Sequence, residues 1–592
     1  MTQIAAALAD LIERVTGLDL DRGGVSTALE RFVTERLRAL GLARVEDYVA
    51  LAADPRGAEQ HKLIDAITVP HTWFYRDPDQ LQTIAPASLT PQHAEDYAVY
   101  RYQIETLVAD QAFKTYQRPL SGDTSFWGDE ADTAQEHFHG EEDYRHYLSQ
   151  LADLPRYFQD NIDNMRAGLR RGFTLPAITL QGRDATVLQV LNAPSIADNA
   201  YYAPFKNLPA TLKPATQAEL RAQAEAAIRD QVLPAYRALL KFLREEYIPG
   251  AVKSLAAVDL PDGRAFYQSQ IREYTTLDMA PEQVHTLGLA EVARITQEME
   301  AIRKQVGFDG DLKAFNASLR TAPRFYAKTA QDLLDRAAWT AKSFDGVAAR
   351  YFGRLPRARF GIVEVAPDLA PFYTAGRGGP GVFLLNTYDL PSRPLYTIPA
   401  LTLHESAPGH AFQMPLAAEN KRLPPFRQEG YISAYGEGWA LYCERLGDEM
   451  GLYTTPYERY GMLSYQMWRA ARLVVDTGIH AMGWTREQAI AFMVDNTGIA
   501  REDATEEVDR YVVWPAQALG YKLGQLKILE LRQKARAELG DRFDLRAFHQ
   551  EVLDHGALPL PVLEQVIAAW IARVKTGAVI TPLGMLSPAG GL

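Results

Sequence analysis

A single cysteine, Cys443, in 592 residues excludes an internal disulfide framework, a zinc site built from thiolates and an iron–sulfur cluster. That usage fits a reducing compartment, so a cytoplasmic protein is expected. No apolar run approaches the ~20 residues that span a bilayer, and no membrane partner is expected. Runs of Lys and Arg are also lacking: 62 basic residues face 74 acidic ones, for a formal charge of −12. Without a basic stripe to follow phosphates, nucleic acid is not an expected partner. The opening segment, MTQIAAALADLIERVTG, has neither a basic n-region nor a small-residue cleavage site. Asp10 and Glu13 interrupt its apolar residues at helical spacing, and it reads as an amphipathic helix rather than a signal peptide.

What is present is mostly helical periodicity. Stretches of 3.6-residue period run over 143–172, 217–248, 281–306, 329–351, 456–483, 485–498, 515–539 and 560–575. A mainly α fold follows, two-lobed around a deep cleft, and neither repeats nor low-complexity segments interrupt it. The run IAPASLTP, with two prolines and a cap signal, marks a domain boundary, so residues 1–82 form a small helical domain and 83–592 the large one. Within the small domain, TGLDLDRGG, the helix ending in RLRALGL, and DAITVPHTWFYRDPDQL resemble the N-terminal helical domain of CheR-type chemotaxis methyltransferases. That resemblance implies a receptor or signalling partner for residues 1–82. The S-adenosylmethionine domain of that family has no counterpart downstream, where no glycine-rich turn follows a strand.

Two segments break the helical pattern. Arg359–Val365 and Gly381–Asn386 read as short strands of an antiparallel hairpin joined by a glycine-rich link. The hairpin is either core or an edge beside the cleft, where Tyr373 and Asn386 would support an extended substrate. The segment Glu136–Asp143 holds His137 and His139 among carboxylates and reads as a solvated loop.

The chemistry concentrates in LHESAPGHAFQ, which contains His404, Glu405 and His410. In an HExxH helix, imidazoles at i and i+4 share one face and meet one zinc ion. Here they are six apart, which on an unbroken helix turns them about 120° away from each other. Pro408 supplies a break, since its ring clashes with the carbonyl four residues back and it has no donor to offer. If Ala407 and Pro408 bulge out, with Gly409 carrying the return, HExxH reach is restored; otherwise the segment is a surface turn containing two histidines. Further along, YGEGWALYCERLG places Glu437 and Glu444 seven apart on one helix face. Glu437 lies between two glycines among Tyr435, Trp439 and Tyr442, and a carboxylate in such company needs a cation. It would complete a His-His-Glu site with one position open for water. Asp476 and His480, at i and i+4, either line a polar layer or bring His480 to a developing oxyanion.

HESAPGHAFQ, YGEGWALYCERLG, RLVVDTGIH and WPAQALGYKLGQLKILELR together resemble domain-of-unknown-function family 885 over residues 90–590. That family in turn resembles helical zinc peptidases such as thimet oligopeptidase and the Taq-type carboxypeptidases. The resemblance implies a Zn2+ cofactor, Glu437 as third ligand and Glu444 as a supporting carboxylate. It also implies a tyrosine at the oxyanion, Tyr521 in GYKLG or else Tyr511, with Arg510 nearby. The expected function is zinc-dependent hydrolysis of short peptides with Glu405 as general base and Tyr521 and His480 assisting. A non-catalytic, chemotaxis-linked interaction protein is the alternative.

Overall fold

The computed structural model describes residues 33–53 in part, residue 84, and residues 89–577 apart from 122–123, 136–137 and 368–369. Two compact units divide at Ala112/Phe113. In the first lie the helix α1 (Val45–Ala52) and nearly all of α2 (Pro91–Phe113). Most of the CheR-like stretch, including Asp65–Leu81, falls outside the described residues, as do Glu136 and His137 of the acidic loop.

The second unit begins with a helical layer dominated by α3 (Glu141–Arg171). Its ends follow from charge and capping: Glu141, Glu142 and Asp143 sit at the positive end of the helix dipole, and Arg170 and Arg171 at the negative end. Gly172 closes it at φ 76°, a conformation that suits a residue without Cβ. Asp143 accepts the backbone N–H groups of His139 and Gly140, so the acidic loop serves as a cap. Tyr144, Tyr147, Leu151, Leu154, Phe158, Ile162 and Met165 form the buried stripe, each contributing roughly 1.5–3 kcal/mol of apolar burial.

Around the candidate site the helices are α4 (Gly263–Thr275), α5 (Pro281–Gln305), α6 (Ala330–Tyr351), α7 (Ile398–Glu405), α8 (His410–Ala418), α9 (Ser433–Glu449), α10 (Pro456–Met482), α11 (Arg501–Val513), α12 (Leu519–Leu539) and α13 (Leu560–Thr576). Five of them, α5, α6, α10, α12 and α13, coincide closely with periodic stretches of the sequence. Helix α10 is buried on nearly every face from Tyr460 to His480, as expected for a central helix rather than a surface one. It packs along α5, where Gly288 lets the α10 backbone approach: a Cβ there would stand 2.7 Å from that of Leu473. Helices α9 and α12 cross backbone to backbone, with Gly438 against Gly524. This second crossing carries Glu437 into the interior.

The strand expectation needs a correction. Residues 361–364 and 382–385 are strands, β1 (Gly361–Glu364) and β3 (Val382–Leu385), but they pair in parallel. The antiparallel hairpin is made by β2 (Gly376–Gly379) with β3, and β3 is the central strand. The glycine-rich link is therefore itself a strand, and chain reversal at Pro380–Gly381 leaves β2 at an edge against α7 and α8.

Candidate metal centre

Helix α7 ends at Glu405 and α8 begins at His410, so the motif is two helices joined by Ser406–Gly409. This corrects the expected bulge on one helix. Pro408 offers no donor to continue α7, and Trp439 Nε1 on α9 donates to its carbonyl at 2.8 Å. Gly409 passes so close to His404 that a Cβ would lie 1.8 Å from the His404 carbonyl oxygen. Folded this way, the loop turns the two rings toward each other, with centroids 5.1 Å apart and planes at 83°.

Glu437, from α9, enters between them. Its Oε2 lies 3.3 Å from His404 Nε2 and 3.5 Å from His410 Nε2. The three ligand atoms lie within 4.8 Å of one another, and this is the one such group of His, Cys, Asp and Glu among the described residues. Tetrahedral zinc with ligands at about 2.0–2.1 Å sets them about 3.4 Å apart. The two carboxylate-to-imidazole spacings match that geometry. His404 Nδ1 is hydrogen-bonded to the buried Glu444 Oε1 at 2.7 Å, which leaves Nε2 for a metal. His410 Nδ1 is buried without a hydrogen-bond partner.

The electrostatics favour positive charge. Burial opposes a charged His404, but the hydrogen bonds of Glu437 and Glu444 and the nearby charge of Glu405 outweigh it and raise the imidazole to about 10. Burial also opposes ionised Glu437, yet the adjoining His410 and His404 hold it well below the usual carboxylate range. Replacing Glu444 by Gln keeps an acceptor for His404 but removes the charge. Zinc affinity is expected to fall about 10–100-fold, read by chelator competition, because outer carboxylates raise ligand basicity.

Glu405 points to β2, where the Gly378 N–H donates to its Oε2 at 2.7 Å. A Cβ on Gly378 would lie 1.7 Å from the Glu405 carbonyl oxygen, so this approach is open to glycine alone. Tyr521 stacks beside His404 at 6.5 Å with 17° between the planes. Tyr431, which sequence reasoning did not single out, donates to Glu437 Oε1 at 2.8 Å and keeps 47% of its surface exposed. Its position six residues ahead of Glu437 was the available signal.

Other candidates are placed elsewhere. His480 is fully buried, its Nδ1 accepting from Ala257 N at 3.2 Å and its Nε2 donating to Tyr511 O at 2.8 Å. With both nitrogens engaged by backbone and burial lowering its pKa to about 4, it stays neutral and cannot meet an oxyanion. Asp476 accepts from Tyr267 OH and Ala516 N instead of pairing with His480. The Tyr511 hydroxyl is committed to Glu507, Arg472 and Trp468, which removes it as an oxyanion donor. Arg510 donates to Gln517. Asn386 is no substrate contact: it is buried, donates to the carbonyls of Ala370 and Tyr373, and accepts from Tyr388 N. Tyr373 is thereby held by its backbone, with Arg377 at 5.9 Å over its ring.

Mainly α architecture, a metal-ligand triad and an adjacent Glu define a helical protein built around one candidate metal centre. The chain belongs to the DUF885 family, bacterial proteins of unknown function, whose pattern matches residues 68–567. A protein from Colwellia psychrerythraea described as a lipoprotein has a similar structure at TM-score 0.79 and 25% identity, covering 96% of this chain and 99% of that one. A lipoprotein of unknown function from Shewanella oneidensis aligns at TM-score 0.65 and 19% identity, covering 96% of this chain and all of that one. The M32 carboxypeptidase of Deinococcus radiodurans R1 aligns at TM-score 0.31 and 14% identity over 86% of this chain and 99% of that one, too low to establish a common fold. No curated protein matches the sequence. Among the described residues no helix is long and apolar enough to cross a membrane.

Proposed function

We propose that the protein is a zinc-dependent hydrolase acting on short peptides. The observation that carries this is the convergence of His404 Nε2, His410 Nε2 and Glu437 Oε2 at zinc-ligand spacing beside Glu405. Bound at that triad, zinc would supply Lewis-acid polarisation and a more acidic water. Glu405, with one oxygen held by Gly378, has the other to take the proton of the attacking water. Tyr521 is the proposed donor to the developing oxyanion, with Tyr431 as the second phenol at the site. Strand β2 offers an edge along which an extended peptide adds main-chain hydrogen bonds.

Purified protein is expected to carry about one zinc per chain by elemental analysis, in keeping with one tetrahedral site. Chelation should abolish hydrolysis of short fluorogenic peptides, and zinc should restore it. Metal-free protein that refuses added zinc would overturn the proposal and favour the interaction-protein alternative. A cytoplasmic location, supported by the lone buried Cys443, belongs to the same proposal. Cell fractionation tests it against the lipoprotein description of the two structural relatives.

A further inference from the structure

Arg469, on α10, is a buried cation without a counter-ion among the described residues. It keeps 7% of its surface exposed, and its Nε and Nη1 have no hydrogen-bond partner. Its surroundings are aromatic: the guanidinium carbon lies 4.7 Å from the Tyr465 ring, 5.2 Å from Trp468 and 6.0 Å from Tyr521. Ring faces stabilise a cation but leave its N–H groups unsatisfied. An isolated buried charge is costly enough that proteins ordinarily pair it.

The neighbouring charges add to the excess. The Arg472 guanidinium carbon lies 4.8 Å from the centroid of the same Tyr521 ring, and its Nη1 is unpartnered although its Nη2 is 3.0 Å from Glu507. Arg510 shares that same carboxylate, at 3.7 Å. Two guanidinium groups thus share Glu507, and Arg469 pairs with no carboxylate among the described residues. Tyr521 in turn lies 6.5 Å from the ring of His404. Arg469 and the metal-ligand ring are therefore at most about 12.5 Å apart by way of Tyr521, a span that about four extended residues of about 3.4 Å each would bridge.

We infer that Arg469 is the anchor for a substrate carboxylate lying one to four residues beyond the scissile bond, so the preferred substrates are short peptides carrying a negative charge close to the cleavage point. A guanidinium presents parallel N–H donors to two carboxylate oxygens, and the aromatic walls exclude competing water. The carboxylate is either the chain terminus or an acidic side chain. This inference rests on the hydrolase reading for its geometry, but it is tested by binding alone.

The test uses the full-length, zinc-loaded Glu405→Gln variant, in which turnover is suppressed. Calorimetric titration compares N-acetyl-Ala-Ala, its C-terminal amide, and the amide of N-acetyl-Ala-Asp. The free acid is expected to bind at least about tenfold more tightly than its amide, the range of a charge-assisted hydrogen bond. Binding of the Asp amide at the strength of the free acid would assign the site to side-chain carboxylates, and weak binding would assign it to termini. Arg469→Gln should bring acid and amide to the same affinity while zinc content stays unchanged, and Arg469→Lys should restore part of the difference. Equal affinity of acid and amide for the protein with Arg469 intact overturns the inference, whether or not the Gln variant folds. Acid-selective binding without any peptide turnover in the parent would uphold the inference and sink the hydrolase reading instead.

Discussion

Glu405→Gln is expected to keep its zinc and to lose hydrolysis by about 10²–10⁴-fold, the usual contribution of a positioned general base. The substitution suits the site because an amide oxygen can still accept the Gly378 N–H, which now holds Oε2 at 2.7 Å. The side chain should stay in place beside β2. What changes is the second position: an NH₂ group there cannot accept a proton from water. Since His404, His410 and Glu437 are untouched, metal content should match the parent, and circular dichroism should report no change of fold. Activity within about twofold of the parent would remove Glu405 from the chemistry. Simultaneous loss of zinc would show that Glu405 serves the metal rather than the water.

The second large effect is expected from a single methyl group far from any reacting atom. A Cβ on Gly524 would stand 1.8 Å from the Ala434 carbonyl oxygen and 2.8 Å from Gly438 Cα, so the contact involves backbone that has no rotamer to give. Gly524→Ala must push α9 away from α12. Overpacking of this kind costs typically 1–3 kcal/mol and more where backbone is hit, so about 3 kcal/mol is expected in urea unfolding. Because Glu437 adjoins Gly438 on α9, the displacement should also cut zinc affinity. Gly346→Ala is the control: Gly346 lies in α6, a Cβ there meets nothing within 4 Å, and the change should stabilise by about 0.5–1 kcal/mol. Equal stability of the two variants would mean that the crossing tolerates separation and that the glycines do not set the position of Glu437.

The alanine pair also marks where local pattern stops carrying information. Helical periodicity alone outlined α3, α5, α6, α10, α12 and α13 to within a few residues; α3 and α6, for example, bury one stripe whose period shows in the residue order. His404, Glu405, His410, Glu437 and Glu444 were legible as a group for a related reason: polar residues set among Tyr, Trp and Leu have to find partners when buried. Pro408 announced the end of α7, since its ring cannot follow His404 in an unbroken helix.

Pairings between distant segments lay outside what such patterns hold. Two short apolar strands look the same whether they run parallel or antiparallel, and β1 and β3 proved parallel only because β2 took the antiparallel position. His480 and Asp476 share a helix face in sequence, yet their partners, Ala257, Tyr267, Tyr511 and Ala516, come from two distant parts of the chain, 257–267 and 511–516. Nothing in the residue order distinguishes Arg469 from other arginines, and its unpartnered Nε and Nη1 are visible only in the folded chain. The sequence by itself therefore determined the helices, the capping and the chemical types gathered for a metal site. Tertiary structure alone decided which nitrogen faces the metal position, which strand borders Glu405 and which charges go unpaired. Helix formation depends on neighbours within one or two turns, whereas these choices depend on how closely α9, α10 and α12 pack, a distance set by glycines that carry no pattern of their own.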